Sequence, residues 1–111
     1  MPRKTVSPLY QQIYDLVYQV PAGYVTTYGR IGQLLGCSAR TVGFAMAALP
    51  SGSDVPWQRV INAQGKVSPR RDGEGNLLQY ELLIAEGLSF DAADKLDLSR
   101  YSWNFRPQEE G

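Results

Sequence analysis

Nucleophilic and general-base chemistry have few footholds in this sequence, because it contains no histidine and a single thiol, Cys37. A Ser-His-Asp triad, a Cys-His pair and imidazole base catalysis are therefore out of reach within the chain. So are an intramolecular disulfide and a Cys or Cys/His zinc site, and the expectation is that no metal or cofactor is used. What the chain does show is an uneven spread of charge. Residues 1 to 71 carry eight cations (Arg3, Lys4, Arg30, Arg40, Arg59, Lys66, Arg70, Arg71) against Asp15 and Asp54, a net of +6. Residues 72 to 111 carry Lys95, Arg100 and Arg106 against nine acids, a net of −6, so the neutral total hides a gradient. If the fold keeps the halves apart, one face attracts a polyanion and another repels it; solvated surface charge is the other reading.

The elements that must carry these groups fit into one domain. With 111 residues, 43 % hydrophobic and 20 % charged, the composition is that of an ordinary globular protein. The longest apolar-biased stretch, Val42 to Leu49, is well short of the roughly 18 to 20 residues of a membrane span. Met1 to Lys4 precede no apolar signal core. The expectation is a protein that neither spans a membrane nor is exported: cytoplasmic and nucleoid-associated in a bacterium, nuclear in a eukaryote.

Ser7-Pro8 is an N-cap and first-turn pair, and Leu9, Ile13, Leu16, Val17 and Val20 recur at helical spacing, predicting a helix over 8–19 that Pro21-Ala22-Gly23 ends. Thr26 or Thr27 caps a short second helix carrying Ile31, Leu34 and Leu35, with Gly36 as its left-handed stop. Ser38 caps a third helix over about 39–49, ending at Pro50. This is the rhythm of a helix-turn-helix, whose second member meets nucleic acid. On the third helix Val42, Ala45, Met46 and Leu49 share an apolar face, leaving Arg40, Gly43, Phe44 and Ala47 opposite. Gly43 inside a helix costs about 1 kcal/mol relative to Ala, so close approach of another backbone is expected there, from nucleic acid or from a packed helix.

Arg59 to Asn62 and Lys66 to Ser68 flank Ala63-Gln64-Gly65 as a β-hairpin, which after a helix-turn-helix suggests a wing. Residues 69–75 read as a loop and 76–86 as a helix stopped at Gly87. The tail 88–111, with Leu88, Phe90, Leu96, Leu98, Tyr101 and Trp103, is expected to pack, its end frayed. The expected architecture is mainly α with a small β-hairpin, winged helix-turn-helix-like.

Pro56-Trp57-Gln58-Arg59-Val60 resembles the Pro-Cys-His-Arg-Val active-site strand of the O6-alkylguanine-DNA alkyltransferases, with Trp57 where the reactive Cys stands. Further matches follow in family order: Val25-Thr26-Thr27-Tyr28-Gly29, then Ala39 to Met46, then Leu82-Leu83-Ile84-Ala85-Glu86-Gly87. The resemblance runs from about Leu9 to Gly87, and with Trp57 at the acceptor position the chain looks like the alkyltransferase-like proteins, which bind alkylated DNA without repairing it. Gln58 departs from the Trp-His pairing associated with many of them.

The resemblance implies roles residue by residue. Arg40 matches the arginine finger that occupies the space of the extruded nucleotide, and its place near the N-terminus of the third helix suits a planar cation to phosphate and stacked bases. Tyr28 matches the tyrosine that presses on the DNA backbone and helps rotate the target outward. Met46 and the Val67-Ser68-Pro69-Arg70 loop match the walls of the base pocket, with Pro56, Trp57 and Arg59 on the active-site strand, and Gly43 lies on the DNA-facing side. Arg70 matches the arginine that lies over the lesion as a cation–π partner. Each has a plainer reading: Tyr28 stapling the second helix, Arg70 solvated beside Arg71, Arg59 in a structural ion pair, Trp57 in the core.

Alkyl transfer needs a thiolate aimed at the alkyl carbon and a neighbouring His relay. Trp57 supplies no nucleophile and Gln58 no base, and Cys37 sits in the helix-turn-helix turn, where a small buried residue is the better reading. The implied partner is double-stranded DNA with O6-alkylguanine flipped into a pocket, the complex being handed to nucleotide excision repair damage-recognition proteins. No catalytic residue is implied, and a monomer is the simpler expectation. The rival reading is a winged helix-turn-helix regulator reading sequence in the major groove, although Gly43, Phe44 and Ala47 offer no base-edge donors or acceptors. A transferase acting through Cys37, or a glycosylase, is the enzymatic rival.

Overall fold

A computed structural model describes residues 7–67 and 74–105, without the side chains of 74–76. Helix α1 (Pro8–Gln19) starts where Pro8 already fixes a helical φ and the Ser7 hydroxyl accepts the Tyr10 amide at 3.1 Å. A short strand β1 (Thr26–Thr27) leads directly into α2 (Tyr28–Leu35), whose cap is the Thr27 hydroxyl accepting from the Arg30 amide at 3.0 Å. Gly36 ends α2 in the left-handed region at φ 75°, and the Ser38 hydroxyl caps α3 (Ala39–Ala47) through the Thr41 amide. Helix α3 stops two residues before the expected end.

Gly32 makes the close α2–α3 turn possible. A Cβ there would stand 2.5 Å from the Cys37 carbonyl oxygen, nearer than a carbon atom fits. At Gly43, by contrast, nothing lies within 4 Å of an added Cβ, so helix packing among the described residues does not account for that glycine. Helix α3 is held to α1 by the buried Tyr14 hydroxyl, which donates to the Ala45 carbonyl at 2.7 Å.

Beyond α3 come a 3₁₀ turn (Trp57–Arg59), strand β2 (Val60–Ile61), α4 (Glu74–Ala85) and a single-turn helix α5 (Leu98–Tyr101). Strand β2 runs parallel to β1, pairing Thr26 with Val60 and Thr27 with Ile61. Successive strand residues point to opposite faces, so Val60 enters the cluster of Ile13, Tyr14, Val17, Ile31, Val42, Ala45 and Val55, while Ile61 enters that of Val25, Leu83, Leu88 and Leu96.

The mainly helical expectation holds, with the small sheet built differently from the predicted hairpin. The residues from Asn62 to Lys66 do turn, with Asn62 Oδ1 accepting the Gln64 and Lys66 amides at 3.0 Å each and the Asn62 amide donating to the Lys66 carbonyl at 3.2 Å, but the strand partner of β2 is β1. Val60 and Ile61 are both fully buried, so this strand is covered on two faces and is not a wing edge. Gly65 turns at φ 82° and its carbonyl accepts the Leu96 amide at 2.8 Å, committing the turn to the tail. Ser68, Pro69, Arg70 and Arg71 lie outside the described residues.

Helix α4 starts two residues earlier than expected and ends before Gly87, at φ 96°. The described part of the tail, to Phe105, packs as expected: Leu96 and Phe105 are buried, and Val25 exchanges backbone hydrogen bonds with Tyr101 and Trp103.

Candidate nucleic-acid interface

The α2–α3 unit presents a face with little bulk. Val42 and Ala45 are wholly buried, which fixes the rotation of α3 and turns Arg40, Phe44 and Ala47 outward. Arg40 is exposed at the second position of the helix, its Cζ 5.5 Å from the centroid of the Phe44 ring. Gly43, between them on the same face, leaves an open floor where any other residue would add a side chain. Tyr28, the first residue of α2, is half-buried against the α1–α3 core, as is Met46. Cys37 packs against the same core and is also half-buried, in keeping with a small apolar role.

The second part of the site surrounds the 3₁₀ turn. Pro56, Trp57, Gln58 and Arg59 are all half-buried, and the turn that presents Trp57 is clamped from α4. The Glu86 carboxylate receives a two-pronged grip from Arg59, Nε to Oε1 and Nη2 to Oε2, each at 2.9 Å. Gln58 Nε2 donates to the same Oε2 at 2.7 Å, and Arg59 Nη1 donates to the Val20 carbonyl at 2.8 Å. Gln79, only 3 % exposed, donates from Nε2 to the carbonyls of Gln58 (3.0 Å) and Val60 (2.9 Å). Three hydrogen bonds to Glu86, just past α4, and one from Gln79 therefore hold the turn, a second from Gln79 holds Val60 of β2, and the bond to Val20 ties the turn to the cap of α1.

Arg59 thus makes the structural ion pair of its plainer reading, and through it fixes the turn. Glu86 and Gln79 have no counterpart among the site residues expected from sequence. A signal for Gln79 exists: it falls on the face of α4 shared by Leu83, where an amide demands partners. Glu86 gave none, because its partners are 27 and 28 positions away. Val67 is half-buried against the second cluster and Met46 against the first, so these two expected pocket walls belong to different cores, joined through the 3₁₀ turn and β2. Ser68 and Arg70 are outside the described residues.

Chemically, the described site can bind and stack, with a clamped aromatic turn in one part and an exposed guanidinium beside the Phe44 ring in the other. A family model described as 6-O-methylguanine DNA methyltransferase, DNA binding domain, matches residues 8–88. The chain is 40 % identical over 97 residues to a DNA base-flipping protein of Escherichia coli, covering 86 % of this chain and 74 % of that one. It is 39 % identical over 100 residues to alkyltransferase-like protein 1 of Schizosaccharomyces pombe, covering 85 % and 93 % of the two chains. A crystal structure of S. pombe Atl1 in complex with damaged DNA containing O6-carboxymethylguanine superposes with a TM-score of 0.81 at 36 % identity, over 91 % of this chain and 99 % of that one.

Proposed function

Because this chain belongs to the family of the 6-O-methylguanine DNA methyltransferase DNA-binding domain, we propose that it binds double-stranded DNA containing O6-alkylguanine and holds the damaged base outside the duplex without removing its alkyl group. The observation that carries this reading is the likeness over nine-tenths of the chain to a protein solved on DNA with an O6-alkylated guanine. The geometry supports it. Extruding a nucleotide leaves a gap that Arg40 fills from the exposed face of α3, while Gly43 lets the helix backbone approach the groove and Tyr28 bears on the strand. Extrusion costs a few kcal/mol and less where pairing is weakened, so the lesion lowers its own barrier.

The base is received by Met46, Pro56, Trp57, Val67, Ser68 and Arg70, with Arg59 holding the turn that presents Trp57. Trp57 offers no thiolate and the Gln58 amide, which donates to Glu86, is no base near neutral pH, so bound lesions stay intact. In this reading the protein acts as a monomer, and the bent, protein-marked site is passed to nucleotide excision repair.

The test is competition between two duplexes differing only in one O6-methylguanine. Preference for the lesion is expected; equal affinity would favour a sequence-reading regulator, and label transferred from methylated DNA to protein, or a freed base, would make the protein an enzyme.

A further inference from the structure

Phe44 is 54 % exposed although Val42 and Ala45 on the same helix are wholly buried, and neither core cluster uses it. It lies one helical turn beyond Arg40, on the side where Gly43 leaves open space and Ala47 adds a single methyl. The fold has no need of a ring there. The observed contact is with Arg40, whose guanidinium carbon stands 5.5 Å from the ring centroid. Arg40 otherwise carries a long side chain at an exposed position, free to spread over many rotamers whose restriction on binding costs entropy.

We propose that Phe44 is a positioning residue for Arg40: its ring face gathers the guanidinium onto the outward surface of α3 before DNA arrives, so fewer conformations are lost when Arg40 enters the base stack. The inference rests on Arg40 being the residue that enters the stack, as proposed above. A cation–π contact between residues four apart on a helix has the reach for this, and it needs an aromatic face; apolar bulk is not enough. Gly43, with no side chain, and Ala47, with one methyl, give the guanidinium no competing perch on that face.

The test measures affinity for an O6-methylguanine duplex, and base extrusion through 2-aminopurine fluorescence at the target position, in Phe44→Ala, Phe44→Leu, Phe44→Tyr, Arg40→Ala and the Arg40→Ala/Phe44→Ala double variant. Phe44→Ala and Phe44→Leu are expected to weaken binding about three- to fivefold with a matching loss of extrusion signal, and Phe44→Tyr to stay near wild type. In the Arg40→Ala background, Phe44→Ala is expected to change nothing further. Melting temperatures report folding separately, and the exposed ring predicts little change there. If Phe44→Leu binds like wild type, or the two alanine effects simply multiply, Phe44 does not act through Arg40 and the inference falls alone. If Arg40→Ala leaves lesion binding untouched, the finger role itself fails and takes this inference with it.

Discussion

Glu86→Ala is the most informative perturbation of the fold, because one carboxylate organises the turn that presents Trp57. Three charge-assisted hydrogen bonds converge on its two oxygens, and removing it leaves Arg59 with the Val20 carbonyl and strips the Gln58 amide of its partner. With side chains 18 % and 13 % exposed, the Arg59–Glu86 pair lies closer to the buried case than to the solvent-screened one. Breaking a buried pair costs about 3–5 kcal/mol and an exposed one about 0–1, so with partial access to water the expected loss is about 2–3 kcal/mol. For a domain of this size that lowers the melting temperature by about 8–12 °C. Urea unfolding followed by tryptophan fluorescence is the assay, with the midpoint falling and the slope unchanged. Glu86→Gln, which keeps an acceptor for Arg59, is expected to fall between. A loss below about 1 kcal/mol, or one that vanishes when wild type and variant are compared in molar salt, would mean the pair behaves as a screened surface contact and the clamp argument is wrong.

The two glycines of the helix-turn-helix make opposite predictions. Gly32→Ala places a methyl 2.5 Å from a backbone oxygen and is expected to destabilise the fold by about 2 kcal/mol or more, whereas Gly43→Ala meets nothing and is expected to stabilise it by up to about 1 kcal/mol while weakening binding to lesion DNA. Calorimetry and a DNA titration on the same samples check both, and a Gly43→Ala protein that binds as well as wild type removes the groove-approach role. Trp57→Cys is expected to leave methylated DNA unrepaired in a label-transfer assay, since Gln58 supplies no base; efficient transfer by that single variant contradicts this. Backbone amides of Lys95 and Ala93 hold the Asp91 carboxyl below its ordinary pKa, and Ser99 does the same for Asp97. A carboxyl with a depressed folded pKa stabilises above its unfolded pKa and loses that contribution as pH falls through the folded value, so the urea midpoint is expected to drop below about pH 4. Asp91→Asn and Asp97→Asn should flatten that slope.

The helices were legible because their signals are local. Ser7-Pro8, Thr27, Gly36 and Ser38 sit at their caps, and the period of Val42 and Ala45 gave the buried face of α3. The parallel pairing of β1 with β2 was not legible, since Thr26 and Val60 lie far apart in the chain and each strand has two residues, too few to display a period. Gly65 read as a hairpin turn residue for the same local reason, and only its bond to Leu96 reveals the other use of that turn. The active-site strand was visible as a motif, yet its support was not, because Glu86 acts across 27 and 28 positions and Gln79 across 19 and 21, at the end of and within a helix whose apolar residues point all round. Gly43 and Gly32 illustrate the limit well: both are helical glycines, and which one a neighbouring backbone touches is a fact of tertiary geometry.

Val60 and Ile61 stand back to back, each plugged into a different core. A slip of one residue would exchange them and spoil both, which makes this pair a register lock shared by the two halves of the molecule. Halves joined in that way melt together, in one cooperative transition. Ligand held at α3 would therefore slow amide exchange in α4 as well, on the far side of the lock, without touching it.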